Sequence, residues 1–223
     1  PVLVNITDAD LAAKAQSDGD DIVFADENNV KLDHEIEFYD NSNGYLAAWV
    51  NVPTLSSTVD TVLYMYYGNA TASNQENVTG TWDSNFMMVQ HLSESSGTHY
   101  DSTANDNDGT AINGTLQGVA GKIDGADDFD GTNDEISVPH SNTLTGYTQA
   151  MTASAWVKLD DIATQQGILN KYDTAGNQRS WYLDFRGQTS PKAFGMSGGS
   201  DGIAVNTWTA SYTPSAGTWY YVV

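Results

Sequence analysis

Five side chains with oxygen donors, Asp101, Asn107, Asp128, Asp130 and Asp134, fall within two acidic turns rich in Gly and Asn, at residues 101–109 and 124–134. Such turns bring carboxylates and backbone carbonyls close together, which is the donor set that a hard cation such as calcium requires. Tight turns also select Asp, Asn and Gly for their backbone geometry alone. An EF-hand loop is excluded. At the two nearest spacings Ala104 and Ala126 stand where the first Asp belongs, and Thr115 and Ser137 stand where the closing Glu belongs. The expectation is a calcium-stabilised pair of turns.

A second group of carboxylates, Asp33, Glu35 and Glu37, alternates along the run VKLDHEIEFY at 30–39. Strand alternation puts all three on one face, with neighbours about 6–7 Å apart. Retaining glycosidases use carboxylates about 5–5.5 Å apart, and inverting ones somewhat more. The run is read as an exposed acidic strand face, with Leu32, His34, Ile36 and Phe38 on the other side, and no catalytic residue is assigned. His34, His91, His99 and His140 have no metal-ligand spacing and are expected to be structural or at the surface. No G-x-S-x-G elbow and no glycine-rich phosphate loop is present.

Ligand recognition has a third set of candidates. Sugar C–H faces stack on aromatic rings while hydroxyls take hydrogen bonds. Tyr172, Arg179, Trp181, Tyr182 and Trp208 lie in or near turns of the second half and are the candidates for such a surface, whereas Trp156 and Trp219 are expected in the core. Asn5, Asn69, Asn77 and Asn113 each open an N-x-[ST] sequon.

The elements that must position these groups are short strands. A strand over 2–6, a short helix over 9–16 capped by Thr7 or Asp8, and strands near 21–25, 30–39, 45–52 and 59–67 are expected in the first half. The polar stretch 69–83, NATASNQENVTGTWD, is the expected linker. Strand-like runs at 86–92, 151–159, 167–172, 181–185, 193–196 and 219–223 follow, separated by Gly, Asp, Asn and Ser turns. Strand after strand at this spacing predicts an all-β chain of two β-sandwich, jelly-roll-like domains in tandem, at 1–82 and 83–223.

Composition narrows the function classes. Across 223 residues, 8 Lys and Arg face 29 Asp and Glu, a formal charge of −21. So acidic a chain is unsuited to nucleic acid or anionic membrane surfaces, and suits divalent cations and neutral ligands. Cysteine is absent, which excludes disulfides and thiolate metal sites. No apolar run approaches the about 20 residues that span a bilayer. Both ends fall within strand-like runs, as expected of a piece of a longer secreted polypeptide.

The runs PVLVNITDADL, DDIVF, LDHEIEFYD, AAWVNVP, TVLYMYYGN and ENVTGTWD resemble the domain of unknown function DUF2341 over residues 1–82. From about residue 86 the chain resembles a laminin-G-like, concanavalin A-like jelly roll. The stretch from Asp101 to Pro139, the strand MTASAWVKLDD and the run AGTWYYVV carry that likeness, and the last strands of such a domain are missing. The resemblance implies a jelly roll, frequent calcium binding, and recognition of glycans or other proteins. The reading that follows is a non-catalytic module at the cell surface or outside the cell, for adhesion or carbohydrate binding. The alternatives are a structural subunit of a surface layer or filament that pairs with other copies of itself, and the accessory region of a larger polysaccharide-degrading enzyme.

Overall fold

The computed structural model describes residues 1–145, 150–173, 178–202, 206–210 and 212–223. The side chains of Tyr172, Asp173, Gln178, Arg179, Asn206, Trp208 and residues 199–202 lie outside the described set. The chain is all-β and divides into two compact units, Pro1–Pro139 and His140–Val223.

The first unit begins with β1 (Val2–Thr7), α1 (Ala9–Lys14), β2 (Val23–Ala25), β3 (Lys31–Leu32), β4 (His34–Asp40), β5 (Tyr45–Val50), β6 (Tyr64–Tyr66) and α2 (Val78–Thr81). It continues with β7 (Thr98–His99), β8 (Gly109–Ile112), β9 (Leu116–Ala120), β10 (Gly125–Asp128) and β11 (Glu135–Ser137). The antiparallel sheets β1-β5-β4 and β3-β2-β6 enclose the core. Leu11, Ile22, Phe24, Leu32, Leu46, Ala48 and Val50 fill it. Helix α1 forms because Asp8 accepts the Asp10 N–H at 2.8 Å, one of the donors that a helix start leaves unpaired. Gly44 makes that docking possible. Its φ is +73°, and a Cβ there would collide with the Asp8 carbonyl.

Alternation along β4 breaks at a bulge between Ile36 and Phe38. The extra residue shifts the register, so Tyr39 joins Ile36 against the core. The acidic face of β4 is not exposed as expected. Glu35 is buried, because Trp82, His91 and Ser102 all bond to it.

The expected division near residue 82 falls inside the first unit. Residues 69–83 are strapped to the sheets instead of linking domains. Gln16 Nε2 donates to the Asn69 and Ala72 carbonyls, Gln75 N–H to Asp20 O, and Asn77 N–H to His34 O. The run 59–67 yields only the short edge strand β6, with Val59, Val62, Tyr64 and Tyr66 exposed. The run 86–92 forms no strand. Side chains of the turn at 101–107 satisfy its backbone in place of a ladder: Asp101 accepts from Val89 N–H, and Asn105 and Asn107 donate to the Met87 carbonyl.

The second unit holds a 3-10 turn at Asn142–Leu144, then β12 (Ala155–Lys158), β13 (Gln165–Asp173), β14 (Gln178–Arg186), β15 (Ala193–Gly202), β16 (Asn206–Thr209) and β17 (Trp219–Val222). The sheets are β13-β14-β15-β16 and β12-β17. Leu159, Leu183, Phe185, Phe194 and Val222 form the core. Trp156 is 42 % exposed, not core as expected. In the β12-β17 register it stands opposite the exposed Tyr221, and the partly buried Trp219 stands opposite Lys158, whose ammonium lies over its ring.

Candidate functional site

Along β14 the sequence SWYLDFR alternates, sending Leu183 and Phe185 into the core and Tyr182, Asp184 and Arg186 to the opposite face. Register places Asp184 beside Gly167 and Gly195, and Tyr182 beside Asn170 and Ser197. Asp184 is only 1 % exposed although it lies on the outward side of its sheet. Its Oδ2 accepts from Gln165 Nε2 at 2.6 Å and its Oδ1 from Arg186 Nε at 2.9 Å. Arg186 continues the chain of bonds, donating from Nη2 to Ser197 Oγ at 2.7 Å, and that hydroxyl lies 2.9 Å from Thr207 Oγ1. The guanidinium also stands 5.8 Å from the Tyr182 ring centre. Glycines at 167 and 195 supply no side chain to cover this network. What remains is an open hollow of about 360 Å³ lined by Gln165, Gly167, Asn170, Tyr182 and Asp184. It offers one aromatic ring, amide donors and acceptors, and a carboxylate fixed by two bonds.

Charge is divided unequally between the units. Residues 1–139 carry 24 Asp and Glu against 3 Lys, whereas residues 140–223 carry 5 acids against 5 bases. The whole net charge of −21 therefore belongs to the first unit.

Within the first unit the carboxylates of β4 are gathered around histidine. His91 Nε2 lies 3.2 Å from Glu35 Oε2, and Nδ1 lies 3.3 Å from Glu37 Oε2. Trp82 Nε1 and Ser102 Oγ also donate to Glu35, each at 2.6 Å, and Trp49 Nε1 donates to Glu37 at 2.6 Å. Burial opposes the charge on His91, but the two glutamates outweigh it and push its pKa up to about 10. Glu35 is held below its ordinary value: burial acts upward, and the bonds from His91, Ser102 and Trp82 win. Asp33 lies apart, accepting from Asn77 Nδ2 at 3.0 Å.

His99 is completely buried between Glu94 Oε2 and Asp127 Oδ2, each 2.9 Å away. Gln117 Nε2 is 2.6 Å from its Nε2. Burial pushes the Asp127 carboxyl up, although the His99 ring nitrogen 2.9 Å from its Oδ2 acts downward. His34 is buried edge-on to Phe24, and that burial lowers its pKa. His140 lies 3.1 Å from Lys171 Nζ.

The five residues expected to bind calcium are split between two turns. Asp101 is buried and each of its oxygens accepts twice: from Val89 N–H and Thr103 N–H, and from Thr103 Oγ1 and Asn107 N–H. Asn107 is buried beside it. The Asp101 carboxylate holds its own turn together, so its lone pairs are already directed at protein donors. Asp130 and Asp134 belong to an exposed turn in which Asp134 accepts the Asp130 N–H and Asp130 accepts the Thr132 N–H. Asp128 is exposed at the end of β10. Among the described residues no group of three or more His, Asp or Glu side chains is gathered to hold a metal.

Of the expected ligand-binding residues, Tyr182 lines the hollow. Trp181, next to it on β14, points by alternation to the core side, and its indole nitrogen is buried. The side chains of Tyr172, Arg179 and Trp208 lie outside the described residues. Gln165, Asn170, Asp184 and Arg186 escaped the sequence reading. The available signal was the pair of charged residues alternating with Leu183 and Phe185 in a strand. The sequon residues Asn5, Asn69, Asn77 and Asn113 are all exposed. Asn77 also caps α2 through Gly80 N–H, and Asn113 Nδ2 donates to the Asn133 carbonyl.

Comparison with known families divides the chain in the same order as its resemblances. Residues 18–111 match the domain of unknown function DUF2341. Residues 130–223 match the concanavalin A-like lectin/glucanases superfamily. No curated protein and no solved structure matches the chain.

Proposed function

We propose that this chain, in which a DUF2341 domain is followed by a concanavalin A-like domain, is a non-catalytic recognition module that binds neutral carbohydrate through the outward face of β13–β16. The hollow beside Tyr182 and Asp184 carries this reading. A sugar presents an apolar C–H face and a hydroxyl edge, and these match a ring beside fixed polar groups. Arg186 and Gln165 hold the Asp184 carboxylate in one orientation before any ligand arrives, which reduces the ordering that binding requires.

Neutral ligands follow from charge. The second unit is balanced, and the 21 net negative charges of the first repel sulfated or uronate chains. Recognition without turnover agrees with the state of Glu35, both of whose oxygens are bonded by Ser102, Trp82 and His91, and of Glu37, whose Oε2 is held by Trp49 and His91. In this reading the protein works at a cell surface or outside the cell. Calcium serves as counterion to the acidic first unit.

Affinity electrophoresis of the full chain tests the ligand class. Gels containing glucomannan, xyloglucan, soluble starch or a β-1,3-glucan are compared with gels containing alginate or dextran sulfate. Retardation by a neutral polysaccharide and none by the anionic pair is the expected result. Retardation by the anionic pair alone, or by none of the six, contradicts the reading.

A further inference from the structure

A second hollow, of about 530 Å³, lies in the first unit. We propose that it is an independent binding site for a neutral oligosaccharide. One wall is β6, the edge strand of its sheet. Register puts Tyr66 opposite Val23 and Tyr64 opposite Ala25, while Met65 and Phe24 turn to the core. Tyr64 and Tyr66 are therefore successive rings on the outward face, 45 % and 49 % exposed, with centres 6.5 Å apart and planes inclined by 35°. Tyr66 lines the hollow, and the tilted Tyr64 ring beside it on the strand extends the aromatic surface for a further sugar unit. Tyr66 donates its hydroxyl to Asn29 Oδ1 at 2.6 Å, so its ring is already oriented.

The opposite wall is the arm of residues 68–75, which presents Asn69, Thr71, Ser73 and Gln75 to the hollow. This arm is rigidly anchored by the bonds from Gln16 Nε2 to the Asn69 and Ala72 carbonyls. Thr71 Oγ1 donates to Asn69 Oδ1 and Gln75 Nε2 to the Ser73 carbonyl, so Asn69 Nδ2 and Ser73 Oγ are the groups placed to pair with sugar hydroxyls.

The charged groups near the hollow are already hydrogen-bonded within the protein. Asp21 is the one acid of the lining, 3 % exposed, and its carboxylate accepts from the N–H groups of Gln16, Gly68 and Asn69 at 2.8, 2.6 and 2.8 Å. The neighbouring Lys31 ammonium is engaged by Gln75 Oε1 at 3.0 Å. A hollow lined by amides, hydroxyls and the half-exposed Tyr66 ring, holding one buried acid and set in a unit of charge −21, selects uncharged sugars over acidic ones. The site shares no residue with the hollow of the second unit.

The test is affinity electrophoresis of the full chain carrying Tyr182→Ala, in the same four neutral polysaccharides. Tyr182→Ala alone should retain retardation in at least one gel. Adding Tyr66→Ala should weaken it at least about tenfold, and Tyr66→Phe, which keeps the ring, should leave it. Both substitutions fall on a half-exposed side chain, and an unchanged melting midpoint shows that the fold is kept. No retardation of the Tyr182→Ala chain, or retardation that survives Tyr66→Ala, overturns the proposal. Should retardation depend on Tyr66 and not on Tyr182, this site stands while the second-unit reading falls.

Discussion

His91 bridges Glu35 and Glu37, with one ring nitrogen 3.2 Å from the first carboxylate and the other 3.3 Å from the second. The bridge joins the segment after residue 82 to β4, and around it Trp82 packs edge-on or tilted against Trp49, Phe86 and His91 with ring centres 5.5, 5.0 and 6.1 Å apart. His91→Gln leaves the two glutamates facing each other without a cation. Removing one partner of a buried ion pair typically destabilises by about 3–5 kcal/mol. A urea melt should show a loss of that order, and a change of under about 1 kcal/mol would mean the bridge is incidental.

The same bridge sets a pH window. The pKa of His91 rises on folding from 6.5 to about 10, so its contribution is complete below the unfolded value and lost as pH climbs toward 10. Glu35 is shifted down, so its contribution is present above its unfolded value of 4.5 and lost as pH falls. Stability of the first unit should be level between about pH 4.5 and 6.5 and decline on both sides. In His91→Gln the alkaline decline should vanish between about pH 6.5 and 10. Its persistence would assign that limb to other groups.

Asp127 behaves in the opposite sense. A carboxyl whose pKa burial raises, even with the His99 ring nitrogen 2.9 Å away, opposes folding once ionised. Asp127→Asn, neutral and of the same shape, should match or exceed the wild-type melting midpoint at pH 7. A fall of several degrees would show that the charge opposite His99 is required.

Asp101→Ala orphans four donors, Val89 N–H, Thr103 N–H, Thr103 Oγ1 and Asn107 N–H. Each buried unsatisfied donor costs about 1–3 kcal/mol, so the midpoint should drop sharply in chelator and in calcium alike. For the wild-type chain, calcium and magnesium should raise the midpoint similarly, as counterions do. A saturable rise specific to calcium, absent in Asp130→Ala, would restore a built site in the exposed turn.

The sequence revealed most where one face of a strand is buried. Alternation located β4, strand-like runs between turns located β5, β12, β14 and β17, and capping chemistry at Thr7 or Asp8 located α1. It failed where long-range partners decide. The bulge at Glu37 cannot be seen without the Glu76 carboxylate, which takes the Ile36 N–H at 2.6 Å. Residues 69–83 read as a linker because their bonds are to backbone groups distant in sequence, and polar composition hides such bonds. Tyr182 was legible as a ring near a turn. Asp184 was not, because a buried carboxylate is recognisable only beside the Gln165 and Arg186 that satisfy it.

The account rests most heavily on Tyr182 as the ring of a neutral-sugar site. The direct measurement is the retardation of Tyr182→Ala against the wild-type chain in the neutral polysaccharide gels, with Asp184→Asn alongside and melting midpoints recorded for each. The account predicts a loss of retardation of at least about tenfold in at least one gel for Tyr182→Ala with an unchanged midpoint. Retardation equal to wild type in every gel would contradict it.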